Sequence, residues 1–151
     1  MIVRDARVQD ANAMSDVTVE IFAAGLRKEP GSVAFVRSRY LDDPQQLRCS
    51  VAEQDDRIIG FQSLKRAEPG NIYNTPAGWG IIGTHIRPSA ARTGIGRRLF
   101  AASLQAAQNA ALPRIEAYIA ADNAPALAYY EAMGFRAWRT EEGVICKVFD
   151  L

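Results

Sequence analysis

The chain has one histidine, His85, and two cysteines, Cys49 and Cys146. No Cys-x-x-Cys pair exists and His85 has no ligand-type neighbour, so no metal site is expected. The two thiols lie far apart in apolar, strand-like runs, which reads as two buried cysteines in a reducing compartment. No apolar run is long enough to cross a bilayer. The opening Met1-Ile2-Val3-Arg4-Asp5 lacks the apolar core of a signal peptide. The expectation is a cytoplasmic protein with no membrane partner. An excess of charge is missing too. The formal net charge is +1 and most basic residues are scattered, so nothing favours nucleic acid as a partner. Repeats, low-complexity tracts and linkers are absent.

What is present is ordinary globular material. The 151 residues are 48% hydrophobic and 23% charged, enough for one core, so the chain reads as a single domain over 1–151. Ile2 to Ala6 opens as a strand. Asp10 can cap a helix in which Met14, Val17, Ile21 and Ala24 share a face, with Gly25 as its stop. Ser32 can cap a second helix that buries Val33, Val36, Tyr40 and Leu41 and ends at Asp43-Pro44. Arg48 to Glu53 and Arg57 to Lys65 form a hairpin across Gln54-Asp55-Asp56. Arg66 to Gly78 is a long loop, in which Ile72 and Tyr73 either face a ligand or tuck under as a satellite of the core.

Trp79 to Ile86 is a strand closed by Pro88. Gly94 to Ala111 is the strongest helix, with Ile95, Leu99, Ser103, Leu104 and Ala107 on its core face. Arg114 to Ala120 is a strand. Asn123 caps a short helix to Met133, stopped by Gly134. Phe135 to Arg139 and Val144 to Phe149 close as a hairpin. The order β-α-α-β-β-β-α-β-α-β-β predicts an α/β (α+β) fold. Its sheet is mixed and mostly antiparallel, with about seven strands and helices on both faces. The strand–helix–strand from Trp79 to Ala120 is a right-handed parallel crossover.

The segment Arg92-Thr93-Gly94-Ile95-Gly96-Arg97 joins a strand to a helix start. Unpaired N–H groups and the positive end of the dipole gather there, and two glycines let an anion approach the backbone. Arg92, Arg97 and Arg98 add charge. The P-loop pattern is absent, and the third glycine of the dinucleotide fingerprint is replaced by Leu99. A tight turn with no ligand fits the two glycines equally well.

The wider context separates these readings. Ile86-Arg87-Pro88-Ser89-Ala90-Ala91-Arg92-Thr93-Gly94-Ile95-Gly96 resembles the coenzyme A motif of the GNAT superfamily, the GCN5-related N-acetyltransferases. Asn123-Ala124-Pro125-Ala126-Leu127-Ala128-Tyr129-Tyr130-Glu131-Ala132-Met133-Gly134-Phe135 resembles that family's second motif, and Ile58-Ile59-Gly60-Phe61 its third strand. The resemblance implies an enzyme that moves an acetyl group from acetyl-coenzyme A to an amine of a small molecule or peptide. It also implies that the strands flanking the main helix splay apart. The pantetheine arm would pair with Thr84 and Ile86 in that gap, the pyrophosphate would rest on the N–H groups of Arg92 to Arg97, and Asn123 would contact the arm. Relatives often form dimers, so a homodimer is allowed.

The chemistry needs a proton for the leaving thiolate, a polarised carbonyl and a deprotonated amine. Tyr130 matches the family tyrosine, and a phenol of pKa about 10 holds its proton at neutral pH; its plain alternative is a core aromatic. A backbone N–H on the Thr84–Ile86 strand can polarise the carbonyl. The base is not evident. The two positions where relatives carry glutamate hold Gly80 and Tyr118. Glu116 shares a strand face with Tyr118, and His85 has a suitable reference pKa near 6.5, so both are candidates. Ala91 stands where the family usually has Arg or Gln. These departures leave a non-catalytic coenzyme A binding module as the alternative. Glu20, Glu29 and Glu68 can hold a cationic amine or simply stay solvated.

Overall fold

Alternating apolar strands meet amphipathic helices across two sheet faces in the structure, a computed structural model that describes residues 1–91 and 93–151. Seven strands form one sheet: β1 (Ile2–Asp5), β2 (Gln46–Gln54), β3 (Arg57–Arg66), β4 (Gly80–Ile86), β5 (Arg114–Ala120), β6 (Arg136–Glu141) and β7 (Val144–Asp150). Their spatial order is β1-β2-β3-β4-β5-β7-β6. Only β4 and β5 run parallel; the other pairs are antiparallel. The helices are α1 (Ala11–Ala23), α2 (Val33–Val36, running on as Arg37–Leu41), α3 (Ile95–Asn109) and α4 (Ala124–Ala132). The expected order and sheet are therefore observed.

Side-chain alternation along the strands divides the core. Met14 and Val17 of α1 and Val36 and Tyr40 of α2 pack on Val51, Ile58 and Phe61. On the other face, Phe100 and Ala107 of α3 and Tyr130 of α4 pack on Leu64, Ile82, Ile115, Ala117 and Ile119. No helix of the described residues is long and apolar enough to span a membrane. No cluster of His, Cys, Asp or Glu among them could hold a metal.

Local chemistry explains the ends. Asp55 and Asp56, at φ 53° and 60°, make the tight β2–β3 turn. Ser32 caps α2 by accepting from the Phe35 N–H at 3.1 Å. Four details differ from the sequence reading. Asp10 does not cap α1; its carboxylate accepts from the Arg7 N–H at 2.7 Å and from the Arg4 guanidinium at 2.9 Å. Val33 is exposed, since it sits in the first turn of α2 above the buried stripe. Residues Arg37–Leu41 form a widened turn with the Asp42 N–H bonded to the Arg37 carbonyl at 2.7 Å. In the 66–78 loop Tyr73 tucks in while Ile72 projects outward, 72% exposed.

Candidate active site

The β4–β5 ladder is short. It pairs Gly80 with Ile115, Ile81 with Glu116 and Ile82 with Ala117, and then stops. Strand β4 continues to Ile86 against β3, and β5 continues to Ala120 against β7. Beyond Ile82 the two strands diverge. Arg87 donates its N–H to the Ile59 carbonyl at 2.9 Å, so Arg87 and, by alternation, His85 and Gly83 turn their backbone toward β3. Thr84 and Ile86 then turn their N–H and C=O groups toward the gap. They form a free edge within the sheet that an extended ligand can pair with.

A cleft of about 180 Å³ opens at this divergence and is lined by Gly83, Thr84, His85, Tyr118, Asn123 and Tyr130, among others. Four of the expected site residues meet there. A hollow of about 280 Å³ lies between the β2–β3 turn and the loop before α3, lined by Gln54, Asp55, Arg57, Ile59, Ser89, Ala90 and Thr93. It borders the glycine loop but holds neither Tyr130 nor the diverging strand edge, so the smaller cleft is the candidate site.

Tyr130 is buried, and its hydroxyl lies 2.8 Å from Thr84 Oγ1. Burial pushes its phenol well above the ordinary value, so it keeps its proton. Beneath it runs a polar chain. Gln62, fully buried, donates to Thr84 Oγ1 at 2.9 Å and to the Tyr129 hydroxyl at 3.0 Å. Ser103 donates to Gln62 Oε1 at 2.6 Å, and Tyr129 donates to the Gly96 carbonyl at 2.8 Å. Both amide hydrogens of Gln62 are thereby used. Thr84 has accepted from Gln62 and can give its own hydrogen to Tyr130, leaving the phenol proton free for the cleft. Sequence reasoning missed Gln62 and gave Tyr129 no role. A glutamine inside the apolar run Ile58–Leu64 was the available signal.

The loop of expected anion contacts lies at the start of α3. Gly94 is left-handed, φ +80°, and a β-carbon there would meet nothing within 4 Å. The first bond of α3 runs from the Arg98 N–H to the Gly94 carbonyl at 3.3 Å. The N–H groups of Ile95, Gly96 and Arg97 precede it and bond to no backbone carbonyl among the described residues. Thr93 and Arg97 are exposed, while the Ile95 side chain is buried, so Ile95 offers only its backbone. The expectation on Arg92 lies outside the described residues. Gly96 has a second reason to be glycine: a β-carbon there would sit 2.5 Å from Tyr129 Cε1. Asn123 caps α4, accepting from the Ala126 N–H at 3.2 Å, and also borders the cleft.

The two base candidates fare differently from expectation. Glu116 is fully buried and saturated. Its Oε1 accepts from Thr75 at 2.7 Å and from Arg139 Nη2 at 2.7 Å. Its Oε2 accepts from Trp138 Nε1 at 2.8 Å and from Arg139 Nε at 2.9 Å. With four donors, two of them from one bidentate guanidinium, it braces β5 against β6 and has no lone pair to offer an amine. His85 does line the cleft, but its ring stacks on Phe61 at 4.6 Å and meets Tyr40 at 5.1 Å. Its Nε2 is buried without a partner. Burial first, then the charge of Arg27, pushes its pKa down to about 3, far from the value of about 6.5 that made it attractive. It stands neutral at working pH and is a feeble proton acceptor. Burial also pushes the Cys49 thiol up to about 12 and the Cys146 thiol up to about 11. Neither is a nucleophile near neutral pH.

The acidic residues suggested for a cationic amine are elsewhere. Glu20 is spent on Ser89, accepting from its N–H at 3.1 Å and its hydroxyl at 3.0 Å. Glu29 and Glu68 are exposed.

Comparison with known proteins bears on family and fold. Residues 14–135 match the profile described as the Acetyltransferase (GNAT) family. The chain is 34% identical over 100 residues to a mycothiol acetyltransferase of Kocuria rhizophila, covering 66% of this chain and 32% of that one. It is 34% identical over 101 residues to one of Acidothermus cellulolyticus, covering 60% and 30%. The chain thus spans about a third of the length of these curated relatives. Among solved structures, a GCN5-related N-acetyltransferase from Kribbella flavida superposes with a TM-score of 0.81 at 22% identity, covering 99% of this chain and 97% of that one. The PaiA N-acetyltransferase of Thermoplasma acidophilum, in complex with coenzyme A, gives 0.78 at 17%, covering 99% and 98%.

Proposed function

Since the chain belongs to the acetyltransferase (GNAT) family, we propose that it transfers an acetyl group from acetyl-coenzyme A directly to the amine of a small molecule or peptide. The observation that carries this is the early end of the β4–β5 ladder at Ile82 and Ala117, with Tyr130 beside the opening. The free edge of Thr84 and Ile86 suits the amides of a pantetheine arm. The first-turn N–H groups of α3, exposed by the left-handed Gly94, suit its diphosphate. When bound, acetyl-coenzyme A supplies the activated thioester.

The chain's own groups do the rest. The edge N–H groups of β4 point where the carbonyl oxygen gains charge and stabilise it. Tyr130 gives its proton to the departing sulfur. Burial of its ring keeps that proton in place until then. Neither Glu116 nor His85 is free to take the amine proton, so we assign that step to solvent in the cleft or to an amine that arrives neutral. Substrate positioning then supplies much of the acceleration.

Tyr130→Phe removes one oxygen and keeps the ring packed. The turnover number should fall about 100-fold, with coenzyme A affinity held, as read by thiol release and by calorimetric titration. Unchanged turnover would exclude the phenol as the acid. A protein that binds coenzyme A and transfers nothing to any amine would instead favour a regulatory binding module.

A further inference from the structure

On the α1 side the cleft is lined by Ile21 and by Leu26 and Arg27 of the loop that follows. The acids near it are committed. Glu116 and Glu141 are bonded to Arg139, Glu20 to Ser89 and Arg87, and Asp43 to Lys65. The ion pairs formed among the described residues include neither Arg27 nor Arg39. Arg27 lines the cleft itself. Its guanidinium lies over the Phe35 ring, 5.4 Å from the centroid, and the Arg39 guanidinium lies 4.9 Å from the same centroid. Arg39 also donates to the Tyr73 hydroxyl at 2.6 Å, and Tyr73 packs edge-on against the cleft residue Tyr118 at 5.2 Å.

The loop that carries Arg27 is held in place. The buried Ser15 hydroxyl donates to the Gly31 carbonyl at 2.7 Å, and the buried Thr18 hydroxyl shares its hydrogen between the Ser15 carbonyl at 2.7 Å and the Gly31 carbonyl at 3.0 Å. Arg27 Nε donates to the Glu29 carbonyl at 2.7 Å, and its Nη2 lies beside Gly31, 3.2 Å from where a β-carbon there would sit. The charge of Arg27 is felt at His85 and Tyr40, so it bears on the acetyl-accepting side of β4. A half-buried guanidinium held at one nitrogen, with no carboxylate partner among the described residues, suits an anionic group.

We infer that the acceptor amine carries an anionic oxyacid group, held by Arg27 at the mouth of the cleft with Arg39 beside it. This rests on the acetyltransferase reading and narrows its substrate to amines such as amino acids, aminophosphonates or aminosulfonates. A plain alkylamine or polyamine would meet uncompensated positive charge.

The test is a set of matched amines. Each amino acid is assayed beside its carboxamide, and short aminophosphonates and aminosulfonates beside alkylamines of the same length. Wild-type enzyme should prefer the anionic member of each pair by about tenfold or more in kcat/KM. The three oxyacid arms identify which anion fits. Arg27→Gln should raise KM for the anionic member more than it lowers kcat, so that the preference collapses toward one. Arg27→Lys should restore part of it. A coenzyme A thermal shift equal to wild type shows that each variant is folded. Equal or better use of the uncharged amines by wild type overturns the inference and leaves the acetyltransferase reading standing. Intact coenzyme A binding with no turnover in any pair overturns it as well. Failure to bind coenzyme A removes the earlier reading, and this one with it.

Discussion

Tyr130 is useful as an acid only if its hydrogen points into the cleft, and Gln62 is the residue that decides this. It feeds Thr84, Thr84 can feed Tyr130, and Ser103 and Tyr129 hold Gln62 in place. Gln62→Leu keeps the volume and removes three hydrogen bonds. It leaves the fully buried Ser103 hydroxyl without its acceptor, which should lower stability by about 1–3 kcal/mol. A stability loss alone would not implicate the network in catalysis. The added expectation is a drop in kcat with KM for acetyl-coenzyme A held, and partial recovery in Gln62→Glu, which keeps the acceptor for Ser103. A kcat equal to wild type would make the network purely structural. At this scale the sequence was half legible. Tyr130 and Asn123 stood out because they sit in a recognisable pattern. Gln62 and Arg27 did not, because their importance comes from partners 22 to 67 residues away in the chain, or from having no ionic partner among the described residues. Glu116 looked free for the same reason. Its neutralisation by Arg139 needs the β6–β7 hairpin folded back beside β5.

The proposed site rests on two elements: a ladder that ends early, and a helix that begins with a left-handed glycine. The element order and most boundaries follow from apolar periodicity and turn residues. The gap does not, because strand divergence is set by how β4 follows β3 and β5 follows β7, and no local pattern records it. The widened turn at Arg37–Leu41 was likewise invisible, since its residues are ordinary helix formers. The tight glycine turn before α3 was legible, yet for an incomplete reason. Gly94 meets open space and is constrained by its φ of +80°, whereas Gly96 is constrained by the Tyr129 ring. The two glycines therefore fail differently. Gly94→Val forces a branched residue into a left-handed conformation at a cost of roughly 1–2 kcal/mol, or a loop that abandons it. Coenzyme A affinity should weaken about tenfold by calorimetry, with the cooperativity of unfolding retained. An affinity equal to wild type would mean that the diphosphate is not gripped there.

The sheet joins two unlike halves of the molecule. One face, under α3 and α4, holds Tyr130 and its hydrogen-bond chain; the other, under α1 and α2, holds the arginines and a histidine kept neutral by burial. That burial sets how the whole fold responds to pH. The folded-state pKa of His85, about 3, lies below its unfolded value of about 6.5. Between those values the unfolded chain binds a proton that the folded chain refuses, so stability rises with pH. The contribution is complete above about pH 6.5 and is lost as pH falls toward 3, with a slope of up to about 1.4 kcal/mol per pH unit. Asp10 adds a loss of the same sign further down, because the Arg4 guanidinium holds its carboxyl below the usual range. Urea melts at pH 7 and pH 5 should therefore show the native protein weakening, with the difference much reduced in His85→Gln while the acid-range loss from Asp10 persists. If the imidazole titrated near its ordinary value in the fold, the variant and the native protein would lose stability in parallel. His85 would then be solvated enough to take a proton from the amine after all.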